Sequence, residues 1–463
     1  MIFKIIASAV VGIFVCTNTI AQPTLTLPDA LNTAEKQYQK IKSKKALQQA
    51  SEQNIQFQQS TYLPDLNLAA QQSFGTINAQ HGPLYAFGGL SAASTSMPAP
   101  EQNWNAAFGS LYFANVNWNF FTFGKIKNQV NVANADNEIS KADVEQEIFQ
   151  QQVKVSAAYF NLLAAQRLKF VQEKNLERAR VFLTTTEALS KAGLIPGVNA
   201  SLARAEVSNA QSLQIKAYDR ELEYAKDLAV QLGEDFKTYQ LDSLFNLRLP
   251  LLVNLTTGNV TDHPSIILQK NKIEKSTAEL KLIQAQSLPN FYLFGVLQGR
   301  GSGFDHDYLQ DNTAYSKSYF KGAGIQRGNY LLGINLTWNI TNVHRNKSKI
   351  KAQEFVTQSL MHDNELLQQE LYNQGKLAEE KIKNALANHA ETKVQLKAAA
   401  DAFKQYTSLY KSGLATIVDW TQALYTLNRA EVEFEIAQNN VWQALLLKAA
   451  AYGDIKIITT AIQ

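Results

Sequence analysis

The chain has 463 residues, 45% of them hydrophobic and 18% charged, a balance too apolar for a disordered polymer. Its 44 basic and 40 acidic residues give a net charge of +4 and are interspersed. There is therefore no basic stripe of the kind nucleic acid requires, and no nucleic-acid partner is expected.

The first 21 residues contain Lys4, an apolar run from Ile5 to Cys16, and Thr19-Ile20-Ala21 before Gln22. This is the layout of a secretory signal peptide cleaved after Ala21. The run is too short to cross a bilayer, and the polar stretch behind it gives a buried N-terminal helix no partner face. Cys16, the only cysteine, falls inside this segment. Lipidation of Cys16 would want small residues where Phe14 and Val15 stand, and the mature chain is expected to lack disulfides and thiolate metal sites. With no later apolar run near 18 residues, an exported chain of this kind is periplasmic, secreted or an outer-membrane barrel.

From Asp29 to Tyr62 the pattern is helical, and then the apolar period switches from about 3.6 to 2. Leu66, Leu68, Ala70 and Phe74 alternate with Asp65, Asn67, Ala69, Gln71 and Ser73, a mostly polar set, which predicts a strand over about 64–75. A long loop follows at 76–107, rich in Gly and Pro, with Glu101 as its single charge. A second alternating run, about 108–120, sets Tyr112, Val116, Trp118 and Phe120 against Asn115, Asn117 and Asn119.

Between Gly124 and Gly193 lie 68 residues without proline or glycine, rich in Ala, Gln, Glu, Lys and Leu. They predict one unbroken helix of roughly 100 Å. Ile148, Val155, Tyr159 and Leu162 give it a packing stripe at 3, 4 and 7 spacing. Gly193 to Gly197 makes a turn, and Asn199 is placed to cap a helix running to Leu232.

Residues 233–262 are irregular, and then the order repeats. A helix over 265–286, a strand over about 289–299, a Gly-rich loop over 299–328 and a strand over about 329–340 precede a second long helix, 345–412, interrupted in composition only by Gly375. Pro64 aligns with Pro289 at a shift of 225; Trp118-Asn119 aligns with Trp338-Asn339, and Lys191 to Leu194 with Lys411 to Leu414, at a shift of 220. Shared shifts across strands, helices and turns indicate an internal duplication, residues 22–232 and 263–453, joined by the linker 233–262 and followed by a tail, 454–463.

Strands of about ten alternating residues, with aromatic ends and polar faces of Asn, Gln and Thr, have the length that crosses a bilayer when tilted. An ordinary soluble sheet covered on one side is the other reading of the same alternation. Four strands cannot close in lipid, so a membrane reading needs several copies. The long helices exceed a hydrocarbon core of roughly 30 Å and would project beyond it. A periplasmic coiled-coil adaptor or scaffold is the alternative, and it leaves the strands unused. Nothing predicts an enzyme: His81, His263, His306, His344, His362 and His389 are scattered, no metal or cofactor motif is present, and Gly299, Gly301 and Gly303 follow a strand without leading into a helix.

The signal peptide, the paired LP strand openings, VNWNFFTFGK and INLTWNITNVHR before the long helices, AAYFNLLAAQ, and the turns KAGLIPGVN and KSGLATIVDW together resemble the TolC-type outer-membrane efflux proteins over nearly all of residues 29–453. The resemblance implies a mainly α fold with a small transmembrane β part. It implies a homotrimer with four strands per protomer in a 12-stranded barrel, set in outer-membrane lipid and continued by a periplasmic α-helical tunnel. It also implies an exit duct of a tripartite efflux or type I secretion system, docked to a periplasmic adaptor and an inner-membrane transporter of RND or ABC type. In that family the tunnel is pinched at the helix turns. Asp419 matches a pore-ring carboxylate, Gln422 stands at the second such position, and Tyr410 matches a tyrosine of the closing network. Asn199 stands where its aspartate partner would be and Ala415 where an arginine would be, so a hydrogen-bonded closure is expected in place of a salt-bridged one. Asp419 read alone is a helix N-terminal carboxylate favoured by the dipole. Gly193, Leu194, Gly413 and Leu414 match the turns that adaptors grip.

Overall fold

The computed structural model describes residues 24–78, 85–86, 91–92, 97–98, 100–250 and 260–461. The signal peptide, most of the first loop and residues 251–259 of the linker lie outside the described residues. The elements in order are α1 (Leu27–Gln37), α2 (Gln39–Ser60), β1 (Asp65–Gly75), a two-residue pair β2 (Tyr85–Ala86) and β3 (Ser91–Ala92), β4 (Ala107–Phe121), α3 (Lys125–Lys191), α4 (Gly197–Leu232), α5 (Leu244–Leu247), a 3-10 turn (Val260–Asp262), α6 (Pro264–Ala285), β5 (Asn290–Ser302), α7 (Tyr319–Ala323), β6 (Arg327–Thr337), α8 (Ile340–Lys411), α9 (Ile417–Tyr452) and α10 (Lys456–Thr460). The fold is mainly helical with a small sheet part and a repeated order of elements.

Several expected boundaries move. The single helix expected over 29–62 is two helices, because Tyr38 leaves the helical region at φ −64°, ψ 120°. The last strand stops at Thr337 rather than 340, and α8 begins at Ile340, five residues before the expected start. Asn339 makes that switch: its side chain accepts the Thr341 hydroxyl at 2.6 Å and its carbonyl accepts the Asn342 N–H at 3.1 Å. The apolar alternation of Leu336, Trp338 and Ile340 fits a strand and a helix start alike, so pattern alone could not place the border. The 299–328 loop is shorter than expected, since β5 continues to Ser302 and α7 lies within it.

The chain divides into two compact units. The first, drawn from residues 1–47, 141–269 and 363–463, is helical. Its core holds Tyr159, Phe160 and Leu162 of α3, Leu228 and Leu232 of α4, and Trp442 and Leu445 of α9. Phe245 of α5 is pinned into this core by a hydrogen bond from the Trp442 indole N–H to its carbonyl, 2.8 Å, and by edge contact of the rings at 4.9 Å. Along α8 the buried positions Leu371, Gly375, Ala378, Ile382, His389, Thr392 and Ala399 fall three, four or seven apart, the spacing of a coiled-coil seam. Gly375 does not break the helix.

The second unit, residues 48–140 and 270–362, holds an antiparallel sheet ordered β1-β4-β5-β6, so β1 and β6 are its edges. Register assigns one face to Leu66, Leu68, Ala70, Val116, Leu293, Leu297, Leu332 and Ile334. The other face is mixed: Asp65, Asn67, Gln71, Asn115, Asn117, Gln298 and Asn335 share it with Leu111, Phe113, Phe294, Val296 and Leu331. The duplication appears as a pair of equivalent ties. Trp118 donates its indole N–H to the Tyr62 carbonyl at 2.8 Å, and Trp338 donates to the Ser287 carbonyl at 3.1 Å. The first ties β4 to the turn before β1, and the second ties the residue just after β6 to the turn before β5.

Trp442→Ala removes a 2% exposed indole together with its hydrogen bond, at an expected cost of about 3–5 kcal/mol. Thermal loss of helical circular dichroism should come at clearly lower temperature than in the parent protein. Trp442→Phe, which keeps one aromatic ring but loses the donor and part of the indole volume, should cost less than the alanine change, about 1–3 kcal/mol; equal midpoints for both variants and the parent would contradict this packing.

Candidate functional site

The helix turns lie within the first unit and are built alike. The turn after α3 holds Gly193 at φ +74°, and the turn after α8 holds Gly413 at φ +72°. The amide of Leu194 returns to the Leu189 carbonyl at 3.0 Å and that of Gly193 to Ser190 at 3.0 Å. At the second turn Leu414 returns to Leu409 at 2.9 Å and Gly413 to Tyr410 at 3.1 Å. Both are Schellman caps, which need a residue in the left-handed region and therefore favour glycine. Leu194 and Leu414 are left 71% and 76% exposed, a pair of apolar side chains standing at equivalent turn positions. A Cβ added at either glycine meets nothing within 4 Å, so substitution there costs backbone strain without a clash.

The helix starts behind the turns differ. Thr416 caps α9 in a reciprocal capping box: its hydroxyl accepts the Asp419 N–H at 3.2 Å, and Asp419 Oδ2 accepts the Thr416 N–H at 2.9 Å. The hydroxyl of Thr416 also donates to Asp419 at 2.7 Å. These donors hold the exposed Asp419 carboxyl below the ordinary carboxylate range, so it is ionised at neutral pH. Asn199 lies 220 residues earlier, the shift of the duplication, at the same third position of its helix. It is not the cap expected of it; Pro196 takes that place and offers no side-chain bond. Proline fixes the extended entry backbone, so the first tip does without the box that the second retains.

Gln422 is exposed, one turn after Asp419 on α9. Tyr410 is only 8% exposed, packed 5.0 Å from the Phe182 ring, and its hydroxyl has no hydrogen-bond partner among the described residues. The four expected gate residues therefore divide: Asp419 and Gln422 stand together on an open face, while Tyr410 is buried and does not bond Asn199. The alternation and spacing did not single out the aromatic cluster beside them. Trp420 stacks on Phe182 with centroids 3.4 Å apart and donates its indole N–H to Thr407 at 3.1 Å; Phe403 packs at 5.6 Å. Phe182, Phe403, Tyr410 and Trp420, with the paired Arg178 and Glu431, line a groove of about 510 Å³. Trp420 next to Asp419 was the available signal, since a large aromatic one turn into a helix marks the face that packs.

Among the described residues no helix is long and apolar enough to cross a membrane, and no cluster of His, Cys, Asp and Glu could hold a metal ion.

No curated protein matches the chain significantly. Solved structures do match in fold. The outer membrane protein VceC of Vibrio cholerae is 15% identical, with a TM-score of 0.71 over 92% of this chain and 96% of that one. The CmeC outer membrane channel of Campylobacter jejuni is 14% identical, with a TM-score of 0.71 over 92% and 85%. The MtrE outer membrane channel of Neisseria gonorrhoeae, solved in its open state, is 15% identical, with a TM-score of 0.71 over 94% and 90%. The sequence profile of the outer membrane efflux proteins matches residues 30–234 and 263–451, the two halves of the duplication. The chain belongs to the outer membrane efflux protein family and is an outer-membrane efflux duct.

Proposed function

We propose that three copies of the chain close one barrel and that the helix turns form its gated inner tip. The observation that supports this is a four-stranded sheet with one largely apolar face, an opposite face that carries its Asn, Gln and charged residues, and two unpaired edges. In lipid an open edge leaves backbone N–H and C=O groups unsatisfied, so β6 of one copy pairs with β1 of the next. The four strands run alternately up and down, so this pairing is antiparallel and repeats without a fault. Two copies would give eight strands, whose interior side chains fill; three give twelve and leave a wet passage lined by the Asn- and Gln-rich face. A periplasmic scaffold without membrane strands would leave that apolar face in water, and the family match sets it aside.

On this reading the signal peptide is removed after Ala21 and the two repeats build equivalent parts of the wall. Asp419 from each copy, with Gln422 behind it, forms a ring of ionised carboxylates at the constriction, favouring cations. Tyr410 and Asn199 take part in a closure without ion pairs, the buried Tyr410 hydroxyl finding its partner when copies meet. Gly193-Leu194 and Gly413-Leu414 present the turns to a periplasmic adaptor, which couples the duct to an inner-membrane transporter of RND or ABC type. No catalytic step enters.

Unheated samples in mild detergent should migrate as a trimer that boiling converts to one chain; a soluble monomer in the periplasm would sink the reading. Asp419→Ala should weaken divalent-cation block of single channels by about tenfold, with unchanged block and selectivity removing the ring. Gly413→Val adds about 1–3 kcal/mol of local backbone strain at positive φ. It should abolish export while leaving trimer yield near the parent's, and intact export would remove the turn from the adaptor contact.

A further inference from the structure

The four strands of the sheet contain three charged residues: Asp65 in β1, Arg300 in β5 and Arg327 in β6. Register sets all three on the polar face. Asp65 is the first residue of β1, beside the helix-bearing end, and pairs with Asn117. Arg300 and Arg327 lie at the opposite end and are directly paired across β5 and β6. Both are exposed, and neither has an ion pair among the described residues. Like charges directly opposite on neighbouring strands, with Cβ atoms about 5 Å apart, oppose each other and weaken the sheet. The next paired position inward, Gln298 with Asn329, meets the needs of a wet face without charge. Folding thus gives no reason for the arginine pair.

No described side chain forms an ion pair with it, although the β5–β6 connection at the same end carries Asp305, Asp307 and Asp311 against Lys317 and Lys321. Lys321 in the β5–β6 connection is taken by Asp305 at 2.8 Å, so that pair is closed on itself. The β1–β4 connection, residues 76–106, contains Glu101 as its single acidic residue and no Lys or Arg. Within the strands themselves the charges run from Asp65 at the base of this face to Arg300 and Arg327 at its rim.

We infer that Arg300 and Arg327 form a cationic ring at the external mouth of the passage, a binding site for small polyvalent anions bearing phosphate or carboxylate groups. The inference rests on the trimeric duct proposed above, which multiplies the pair to six guanidinium groups around one opening. Arginine presents planar paired donors to such groups, and the low-dielectric barrel wall strengthens their summed potential. The exit then favours anions where the Asp419 tip favours cations, so the two ends of one duct favour opposite charges.

The test uses the full chain in planar bilayers of zwitterionic lipid, which removes lipid phosphate headgroups of net negative charge as a competing source. Inorganic tripolyphosphate is added to the barrel side in about 0.1 M KCl, where screening extends over about 10 Å. Parent channels should be blocked, the block should vanish in about 1 M KCl, and addition from the tunnel side should be far weaker. In the double variant Arg300→Gln, Arg327→Gln half-block should need at least tenfold more tripolyphosphate, while Arg300→Lys, Arg327→Lys should retain most of the block. Equal block in the glutamine variant, or equal block of parent channels from both sides, overturns the ring. A parent protein that forms no heat-modifiable trimer and opens no channel overturns the duct itself, a distinct result from a working channel indifferent to the anion.

Discussion

The constraint on which the membrane part depends is that lipid offers no hydrogen bonds to an unpaired strand edge. Inside the sheet every strand finds partners: β4 and β5 are paired on both sides, with registers running from end to end save for one irregularity between Trp118 and Phe121. Strands β1 and β6 each have one free edge. A chain of this family in the outer membrane cannot leave those edges open, and four strands are too few to bend closed. The same sheet has an apolar face that water would penalise and a polar face that lipid would penalise, so its two surfaces dictate which side meets which solvent.

Most of this architecture was legible because it rests on periodicity, which survives divergence. The switch from a period of 3.6 to 2 at Leu63-Pro64 and again at Leu288-Pro289 located the strands, and the long stretches without proline located α3 and α8. The common shift exposed the duplication, which the structure expresses physically in the matched indole ties of Trp118 and Trp338. What the pattern could not resolve were places where one sequence fits two geometries. Trp338 to Ile340 satisfies both periods, and Asn339 decides by turning its own polar groups to the helix start. Tyr38 breaks the first helix with no glycine or proline to announce it.

The tips were legible in backbone and less so in side chains. Glycine at 193 and 413 followed from the left-handed caps, but the capping roles of Asn199 and Asp419 depended on the residue three places earlier. Proline at 196 and threonine at 416 make the two starts different, so positions related by duplication now do different work. Tyr410 packs with Phe182 and Trp420 in an apolar cluster, and its hydroxyl has no partner among the described residues. A buried donor without a partner costs about 1–3 kcal/mol.

Closure of the sheet by copies of itself is the claim from which barrel, passage and tip all follow, and cysteine cross-linking tests it directly. The sequence has a single cysteine, Cys16, in the signal segment, so introduced thiols report on themselves. Asn335→Cys in β6 is combined in turn with Asn67→Cys, Ala69→Cys and Gln71→Cys in β1, and outer membranes are oxidised. The account predicts that one of these combinations gives covalent dimers and trimers and no larger species. Monomers alone from all three combinations, or a ladder extending past the trimer, would contradict it.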